Sequence, residues 1–286
     1  MPLIFLLLLC ISTASFAEEN KQDVPTRLLM GLQYSSINSA TLSDDSLSLK
    51  MQQTKFKLPI GRYQLFGNTL VPQFAYEETT FDVANRINNQ ITLYTVKTPF
   101  MFIEKKEAGW TRIINITPSW HTDLKAKDDK SYSLMGLLLW RYGHDQSPHG
   151  YTLGIGINRL FGEYKPVPIM SYRYQASAYT RYDLGFPISK IEHRLNQNWS
   201  FFSSLGPVGG NWRYNDEQNQ QRLNLSYKSW IATLGIRRHL LNNFWVTLEW
   251  GQSFNRTLDF NNRNIDSQEV SIGEAGVYKL SIGLHP

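Results

Sequence analysis

The amino-acid sequence predicts an all-β protein, folded as one antiparallel up-and-down transmembrane β-barrel of about 14 strands, with about 12 as the alternative. Apolar and polar residues alternate with a period of two along most of the chain, which is the pattern of strands with one apolar face. Turns rich in Asn, Asp, Gly and Pro separate the alternating segments. Outside the N-terminus, the sequence has no apolar run of the roughly 20 residues that a spanning helix needs.

The N-terminus is predicted to be a secretory signal peptide, residues 1–17. An apolar core, Leu3–Ile11, is followed by small residues, with Ser15 and Ala17 at the positions that a signal peptidase prefers. Cleavage would then fall before Glu18. The signal departs from the usual pattern in one respect, because no Lys or Arg precedes the apolar core.

Cys10 is the only cysteine of the chain and would leave with the signal. A secreted eukaryotic domain of this size usually carries disulfides, so a cysteine-free exported chain fits a bacterial envelope protein better. We expect residues 18–25 to form a short N-terminal segment and residues 26–286 to form a single barrel. The net charge of +5 is spread thinly, without the Lys/Arg clusters that nucleic-acid binding requires.

The alternating segments follow one another from the N-terminal part to the last residues. They include Leu28–Tyr34, Leu47–Met51, Leu70–Tyr76, Thr111–His121, Tyr151–Arg159, Trp199–Gly206, Arg222–Lys228 and Tyr278–Leu284. Short polar turns alternate with longer polar connections, predicted at Glu77–Gln90, His121–Ser131, Asn215–Gln221 and Asp259–Glu269. The short pair of strands within Leu184–Leu195 decides between 14 and 12 strands.

Alternation alone fits a soluble β-sandwich as well as a membrane barrel, because the two differ only in which face meets the apolar medium. The export signal, the long strands and the unequal connections favour the barrel. Aromatic residues also crowd the strand ends, where a barrel places its interfacial girdles. These are Trp110, Trp120, Trp140, Tyr142, Tyr151, Tyr179, Trp199, Trp212, Trp245 and Trp250.

In a barrel, the apolar face of each strand meets lipid and the small or polar face lines the lumen. Applying the same assignment of lipid-facing and lumen-facing positions to each strand predicts five lumen-lining charges: Lys50, Lys97, Lys228, Glu249 and Lys279. In Tyr151–Arg159, the inward positions Gly154 and Gly156 either leave room in the lumen or accommodate bulky neighbours.

The run "YTLGIGINRLFGEYKPVPIMSYRY" followed by "YDLGFP" resembles the middle of an uncharacterised family of bacterial outer-membrane β-barrel proteins, known as a domain of unknown function. The resemblance covers about Trp110 to Trp250 and implies the barrel and its location. The family has no assigned activity, so it implies no site residue. The chain ends on Leu284, His285 and Pro286 rather than on the usual terminal aromatic residue.

Two groups of polar residues are candidate chemical sites. Ser119 and His121 share one strand face, as a nucleophile and its base require. The pair is a candidate lipid-hydrolase site, with rim-lining residues as the more ordinary interpretation. His144, Asp145 and His149 share a turn and offer zinc ligands, although turns collect such residues for conformational reasons. We predict no enzyme activity, metal or cofactor.

The sequence therefore predicts a passive outer-membrane pore for small polar solutes in a Gram-negative bacterium, with a mild anion preference. The alternatives are a closed barrel that acts at the surface through Glu77–Gln90 and Asp259–Glu269, and a lipid hydrolase using Ser119 and His121. The expected partners are outer-membrane lipid, lipopolysaccharide and the barrel-insertion machinery, with no nucleic acid, and the expected state is a monomer.

Overall fold

The computed structural model describes residues 30–42, 48–84, 90–126, 128–143, 147–216, 221–241, 243–262 and 265–284. Seventeen strands lie in these residues: β1 Met30–Thr41, β2 Ser48–Pro59, β3 Tyr63–Leu65, β4 Asn68–Ala84, β5 Gln90–Lys97, β6 Phe100–Lys105, β7 Trp110–Thr122, β8 Tyr132–Gly143, β9 His149–Asn158, β10 Lys165–Gln175, β11 Thr180–Phe186, β12 Ser189–Arg194, β13 Trp199–Asp216, β14 Gln221–Leu241, β15 Phe244–Asn262, β16 Ile265–Ile272 and β17 Ala275–Leu284. Two short 3₁₀ turns, Glu107–Gly109 and Asp129–Ser131, precede β7 and β8. Within the described ranges, no helix has the length and apolar character to cross a membrane.

The strands form one antiparallel sheet that closes into a barrel, because β1 pairs with β17 from Met30 opposite Leu284 onward. Three strand pairs lie end to end against the same neighbours: β2 with β3, β5 with β6, and β16 with β17. Counting each of these pairs once gives 14 crossings among the described strands. The predicted up-and-down barrel is confirmed, and the short strands β11 and β12 are both present.

The barrel has two unlike ends. Met30 and Leu284 mark the proximal end, where short turns such as Asn196–Asn198 join the strands. At the opposite, distal end, the long strands β13, β14 and β15 extend together, and β13 continues well beyond the end of β12. The segments Glu77–Gln90 and Asp259–Glu269 were predicted to be long loops. That prediction is wrong for most of their length.

Instead, β4 continues to Ala84, β15 continues to Asn262, and β16 begins at Ile265. Residues 85–89 and 263–264 lie outside the described residues. The polar composition misled the prediction, because a strand that leaves the membrane can be polar on its outer face and still keep all its ladder hydrogen bonds.

The distal part of the barrel is narrower than the rest. β12 pairs with β13 only as far as Leu205, so the distal half of β13 has a free edge on that side. The end of β7 covers this edge, since the backbone N–H of Asp123 donates to the carbonyl of Arg213 at 3.1 Å. Arg159 also donates to the carbonyl of Asn211, at 3.0 Å. An otherwise unpaired strand edge, which would invite aggregation, is thereby capped inside the molecule.

The alternating segment Tyr151–Arg159 lies in the wall with its large residues outward. Leu153 and Ile155 are 56% and 49% exposed on the outer face. The inward glycines do not leave open space. A Cβ on Gly154 would overlap the carbonyl oxygen of Leu138 and approach the Leu139 side chain, so bulky inward neighbours occupy that room.

The apolar face changes sides along single strands. In the proximal half of β14, Leu234 is outward and 54% exposed, whereas Thr233 is inward and buried. In the distal half, Leu225 and Tyr227 are inward with no exposed surface. The side-chain direction itself alternates without interruption, so the polarity of the medium outside the barrel must change between the two halves.

The inward residues of the distal part form an apolar core, which we call the filled section. Its members are buried and come from strands on all sides of the narrowed ring: Ile37, Leu49, Met51, Phe81, Leu93, Trp212, Leu225, Tyr227, Ile231, Leu258, Ile272, Ala275 and Val277. Phe81 makes ring contacts with both Trp212 and Tyr227, at centroid distances of 6.0 and 5.5 Å. The filled section therefore packs like the core of a soluble β protein.

Outward aromatic pairs mark two levels on the barrel wall. Trp110 and Tyr142 are in contact at the proximal level, and Trp120 stacks on Tyr132 at the distal level. Ten residues separate the levels along each of β7 and β8. At about 3.4 Å per residue and a tilt of about 40°, this spans about 25 Å, the height of the lipid-facing band of outer-membrane barrels.

Candidate functional site

Charged side chains form a belt on the inner wall of the barrel between the proximal mouth and the filled section. Among the described residues, we define the belt as the inward side chains that form ion pairs or lie within electrostatic range of one, eight cations and four carboxylates: Lys55, Lys97, Arg141, Arg173, Arg181, Lys190, Arg237, Lys279, Glu77, Asp183, Glu192 and Glu249. Strand alternation directs all of them inward. The difference, eight minus four, gives the belt a formal charge of +4.

One half of the belt lies on β2, β4, β5, β15 and β17. Lys97 pairs with Glu77 at 2.8 Å, and Lys279 pairs with Glu249 at 3.6 Å. Lys55 lies within electrostatic range of Glu77, Lys97 and Lys279. Each of the paired side chains keeps between 15% and 24% of its surface exposed, so water reaches this half of the interior.

The other half lies on β8, β10, β11, β12 and β14, where each carboxylate is shared. One oxygen of Asp183 accepts a hydrogen bond from Nε of Arg173 at 2.7 Å, and the other forms an ion pair with Arg181 at 2.8 Å. Glu192 contacts Lys190 at 2.8 Å, and also Arg181 and Arg237 at 3.2 to 3.3 Å. We call this half the basic arc; it comprises Arg141, Arg173, Arg181, Lys190, Arg237, Asp183 and Glu192.

The structure places three of the five predicted lumen charges, Lys97, Glu249 and Lys279, on the inner wall. The other two require correction. Lys228 lies on the outer face, where it pairs with Glu269 at 2.8 Å. Lys50 is also outward and lies opposite Asp82 in the strand register.

Both errors have one physical cause. The prediction took the apolar neighbours of Lys50 and Lys228 as the lipid-facing side of the strand. At the distal level, water surrounds the barrel and the apolar side chains, such as Leu49 and Leu225, turn inward to the filled section.

Sequence reasoning missed the basic arc altogether. Its residues stand beside short polar turns, where turn chemistry alone explains the polar composition. A signal was present, because Arg173, Arg181 and Asp183 alternate with Tyr172, Tyr174, Tyr182 and Leu184 along β10 and β11. The outward aromatic residues fix the direction of the charges between them.

Ser119 and His121 lie at the distal end of β7 and are hydrogen bonded to each other, Oγ to Nε2, at 2.9 Å. The other ring nitrogen of His121 lies 3.2 Å from Oγ1 of Thr95, which also accepts a hydrogen bond from the Trp212 indole at 2.9 Å. The pair therefore belongs to a polar network that joins β5, β7 and β13.

The geometry of this network suits support of the barrel better than acyl transfer. Ser119 and His121 are 7% and 4% exposed, beside the filled section and on the side of the wall away from lipid. The residue that orients the imidazole is Thr95, whereas a hydrolase triad uses a carboxylate that stabilises the imidazolium.

The turn considered for zinc is only partly described. His144 and Asp145 lie outside the described residues. His149 stacks on Tyr174 on the outer face, and its Nδ1 lies 2.7 Å from the hydroxyl of Tyr172. Among the described residues, no group of three potential metal ligands occurs.

Comparison with protein-family models and with curated proteins finds no match for the chain. The resemblance to an uncharacterised barrel family therefore remains a hypothesis. Solved structures do match. The crystal structure of an outer-membrane channel from Pseudomonas putida F1 is 11% identical, with a TM-score of 0.50, over 94% of this chain and 99% of that chain.

Two further solved structures are similar at lower TM-scores. A NanC porin is 8% identical with a TM-score of 0.40, over 90% of this chain and 100% of the porin. The translocator domain of the autotransporter NalP from Neisseria meningitidis is 8% identical with a TM-score of 0.37, over 91% of this chain and 88% of that domain. At 11% identity, the similarity to the Pseudomonas putida channel shows the fold alone, an outer-membrane type of β-barrel.

Proposed function

We propose that this protein is a passive channel for small polar solutes in the outer membrane of a Gram-negative bacterium, that it prefers anions, and that it is closed at the distal end in the conformation described here. The observation that carries the proposal is the water-accessible charged belt on the inner wall. A barrel that serves only as a scaffold has no need of twelve ionic side chains in its interior, since each must be desolvated in part and paired.

The excess of cations in the belt supports the anion preference. A formal charge of +4 inside a low-dielectric wall concentrates anions and repels cations. The selectivity thus depends on the lining, whereas the overall charge of +5 includes residues on the outer surface.

The filled section supports the closed conformation. Trp212 joins β13 to the opposite wall through Phe81 and Thr95, and it is 2% exposed. Removing the Trp212 side chain would open space between β13 and β4. We therefore expect a low open probability for the wild-type barrel and a higher one for Trp212→Ala.

Planar-bilayer recording tests this proposal with three proteins: wild type, Trp212→Ala and the control Trp120→Ala. The control removes the same type of side chain from the outer face, where Trp120 stacks on Tyr132. The expected result is discrete current steps that are rare in wild type and the control, and frequent in Trp212→Ala. Silence of all three proteins, each shown to be folded by heat-shifted gel migration, would refute the channel.

Charge reversal tests the selectivity in the Trp212→Ala background. Lys279→Glu changes the inner wall by two charge units, whereas Lys228→Glu makes the same change on the outer face. We expect the reversal potential in a salt gradient to move toward cation preference only for Lys279→Glu. An equal response to both substitutions would contradict the assignment of the lumen.

A second candidate function, interaction at the cell surface, is favoured by the distal part of the barrel. Its outer face carries the charged groups Lys50, Asp82, Lys228, Asp259 and Glu269 beyond the distal aromatic level. The silent bilayer described above would leave this candidate as the better explanation. We also propose that residues 1–17 are removed on export, which the intact mass of the purified protein would test.

A further inference from the structure

We propose that the basic arc is a binding site for a small oxyanion that carries carboxylate or phosphate groups. This inference rests on the proposed channel for its physiological meaning, because it names the solute class for which the lining is built. The site itself consists of the side chains on the inner wall between β8 and β14.

The charges in the arc do not cancel. Five cations face two carboxylates, which leaves a formal charge of +3 on one side of the wall. Both oxygens of Asp183 and both oxygens of Glu192 are already engaged by these cations. Each carboxylate oxygen therefore already has a cationic partner, and the guanidinium groups have more donors than the arc has acceptors.

Two arginines show the unused donors. The Nε of Arg181 lies 2.8 Å from Asp183 but is buried and has no hydrogen-bond partner among the described residues. The Nε of Arg141 is buried and lacks a hydrogen-bond partner in the described part of the chain. Arg141 lies within electrostatic range of Arg173 and Asp183. A buried donor without an acceptor costs free energy, which a bound anion would recover.

Space and access are available beside these donors. Gly150 lies opposite Arg173 in the strand register and the small residue Thr152 lies opposite Arg141, so no bulky side chain of β9 stands between the two arginines. Arg173 and Arg181 keep 39% and 40% of their side chains exposed. A small solute can therefore approach them from the proximal mouth.

The remaining cations are held in place by aromatic rings. Lys190 and Arg237 lie over the ring of Phe202, at 4.6 and 5.4 Å from its centroid. Phe202 is itself buried against Gly235, where any Cβ would overlap the ring. Cation–π contacts fix these groups before a ligand arrives, which lowers the entropic cost of binding.

The chemistry of the donors selects the ligand class. A guanidinium presents two parallel N–H groups that match the oxygens of a carboxylate or phosphate, whereas chloride accepts from one point. Several arginines side by side favour an anion with more than one oxyanion edge. Inorganic phosphate is the simplest probe for a phosphorylated solute, and succinate is the simplest probe for a solute with carboxylate groups.

Equilibrium dialysis of the folded, detergent-solubilised full chain tests the site without any need for current. Labelled phosphate and labelled succinate are measured separately at low ionic strength, where screening is weak. We expect saturable binding of at least one probe, weakened about tenfold or more by Arg173→Gln and by Arg181→Gln. Tighter phosphate binding would assign a phosphorylated solute, and tighter succinate binding a carboxylate.

Lys97→Gln is the matched control, because it removes one inward cation from the opposite half of the belt. It should leave the affinity nearly unchanged. Arg173→Lys keeps the positive charge but loses the two parallel N–H donors of the guanidinium, so we expect an affinity between those of wild type and Arg173→Gln. This variant still tests the site if Arg173→Gln does not fold.

The absence of saturable binding in folded wild type would overturn the site, as would an equal loss in Lys97→Gln, which would indicate diffuse charge. Binding together with a silent bilayer would keep the site and refute the channel. Current without saturable binding would keep the channel and refute the site.

Discussion

The space that the neighbouring strand leaves beside a residue determines which side chain fits at that position. Gly154 has the carbonyl of Leu138 and the side chain of Leu139 where its Cβ would be, whereas nothing lies within 4 Å of a Cβ on Gly136. Both glycines belong to the same pair of strands, β8 and β9. Only one of them is required by packing.

We therefore expect Gly154→Ala to destabilise the folded barrel by about 1–3 kcal/mol, through overpacking against backbone that has no room to move. Gly136→Ala is the control and should be close to neutral. Urea unfolding followed by tryptophan fluorescence would measure both. Equal midpoints for the two variants would show that the wall adjusts freely at Gly154.

The network around His121 is a second feature at this scale. We expect His121→Ala to cost about 1–3 kcal/mol in unfolding free energy, because it removes the two hydrogen bonds of the imidazole to Ser119 and Thr95 in a buried place. Phospholipid turnover should be absent from wild type and variant alike. Turnover that disappears with His121→Ala would instead revive the hydrolase.

Among the elements, β14 shows most clearly how the surroundings set the meaning of a strand pattern. Its side chains alternate regularly, yet the apolar positions are outward near Leu234 and inward near Leu225. Apolar side chains are stable outward where lipid surrounds the barrel, and inward where water surrounds it. The change of side near Trp230 locates the distal membrane boundary on this strand.

Cysteine labelling tests that boundary, since the described part of the chain has no cysteine of its own. Lys228→Cys and Leu234→Cys both point outward, one on each side of the boundary. We expect a membrane-impermeant maleimide to label Lys228→Cys on intact cells and to leave Leu234→Cys unlabelled. Rapid labelling of both positions would mean that the lipid band lies lower on the barrel.

The whole molecule combines two architectures in one sheet. Between the aromatic levels it is a membrane barrel with an ionic lining, and beyond the distal level it is a narrower barrel with an apolar core. Trp250 and Trp212 lie in correspondingly different environments. Trp250 is outward and 47% exposed, whereas Trp212 is inward and buried.

Quenching by brominated phospholipids separates these environments in the intact protein. We expect Trp250→Phe to remove part of the quenched fluorescence, because the Trp250 ring would lie against acyl chains. Trp212→Phe should remove only unquenched fluorescence. If Trp212→Phe lowers the quenched fraction instead, the inward and outward faces have been assigned the wrong way round.

The sequence alone determined the fold class and the approximate strand number. Period-two alternation, turn residues and aromatic strand ends are local properties, and they specify strands wherever the neighbours lie. In Tyr151–Arg159 they also gave the outward face correctly, because that segment lies in the lipid band throughout. The three inward charges Lys97, Glu249 and Lys279 could be found for the same reason.

The tertiary structure decided what the alternation meant at each height. Lys50 and Lys228 lie outside because the medium beyond the distal aromatic level is water, and no local pattern records that change. The basic arc likewise exists only because barrel closure and strand register bring β8, β10–β12 and β14 around one lumen. A strand's sequence fixes which side chains share a face, whereas only the assembled sheet fixes what that face meets.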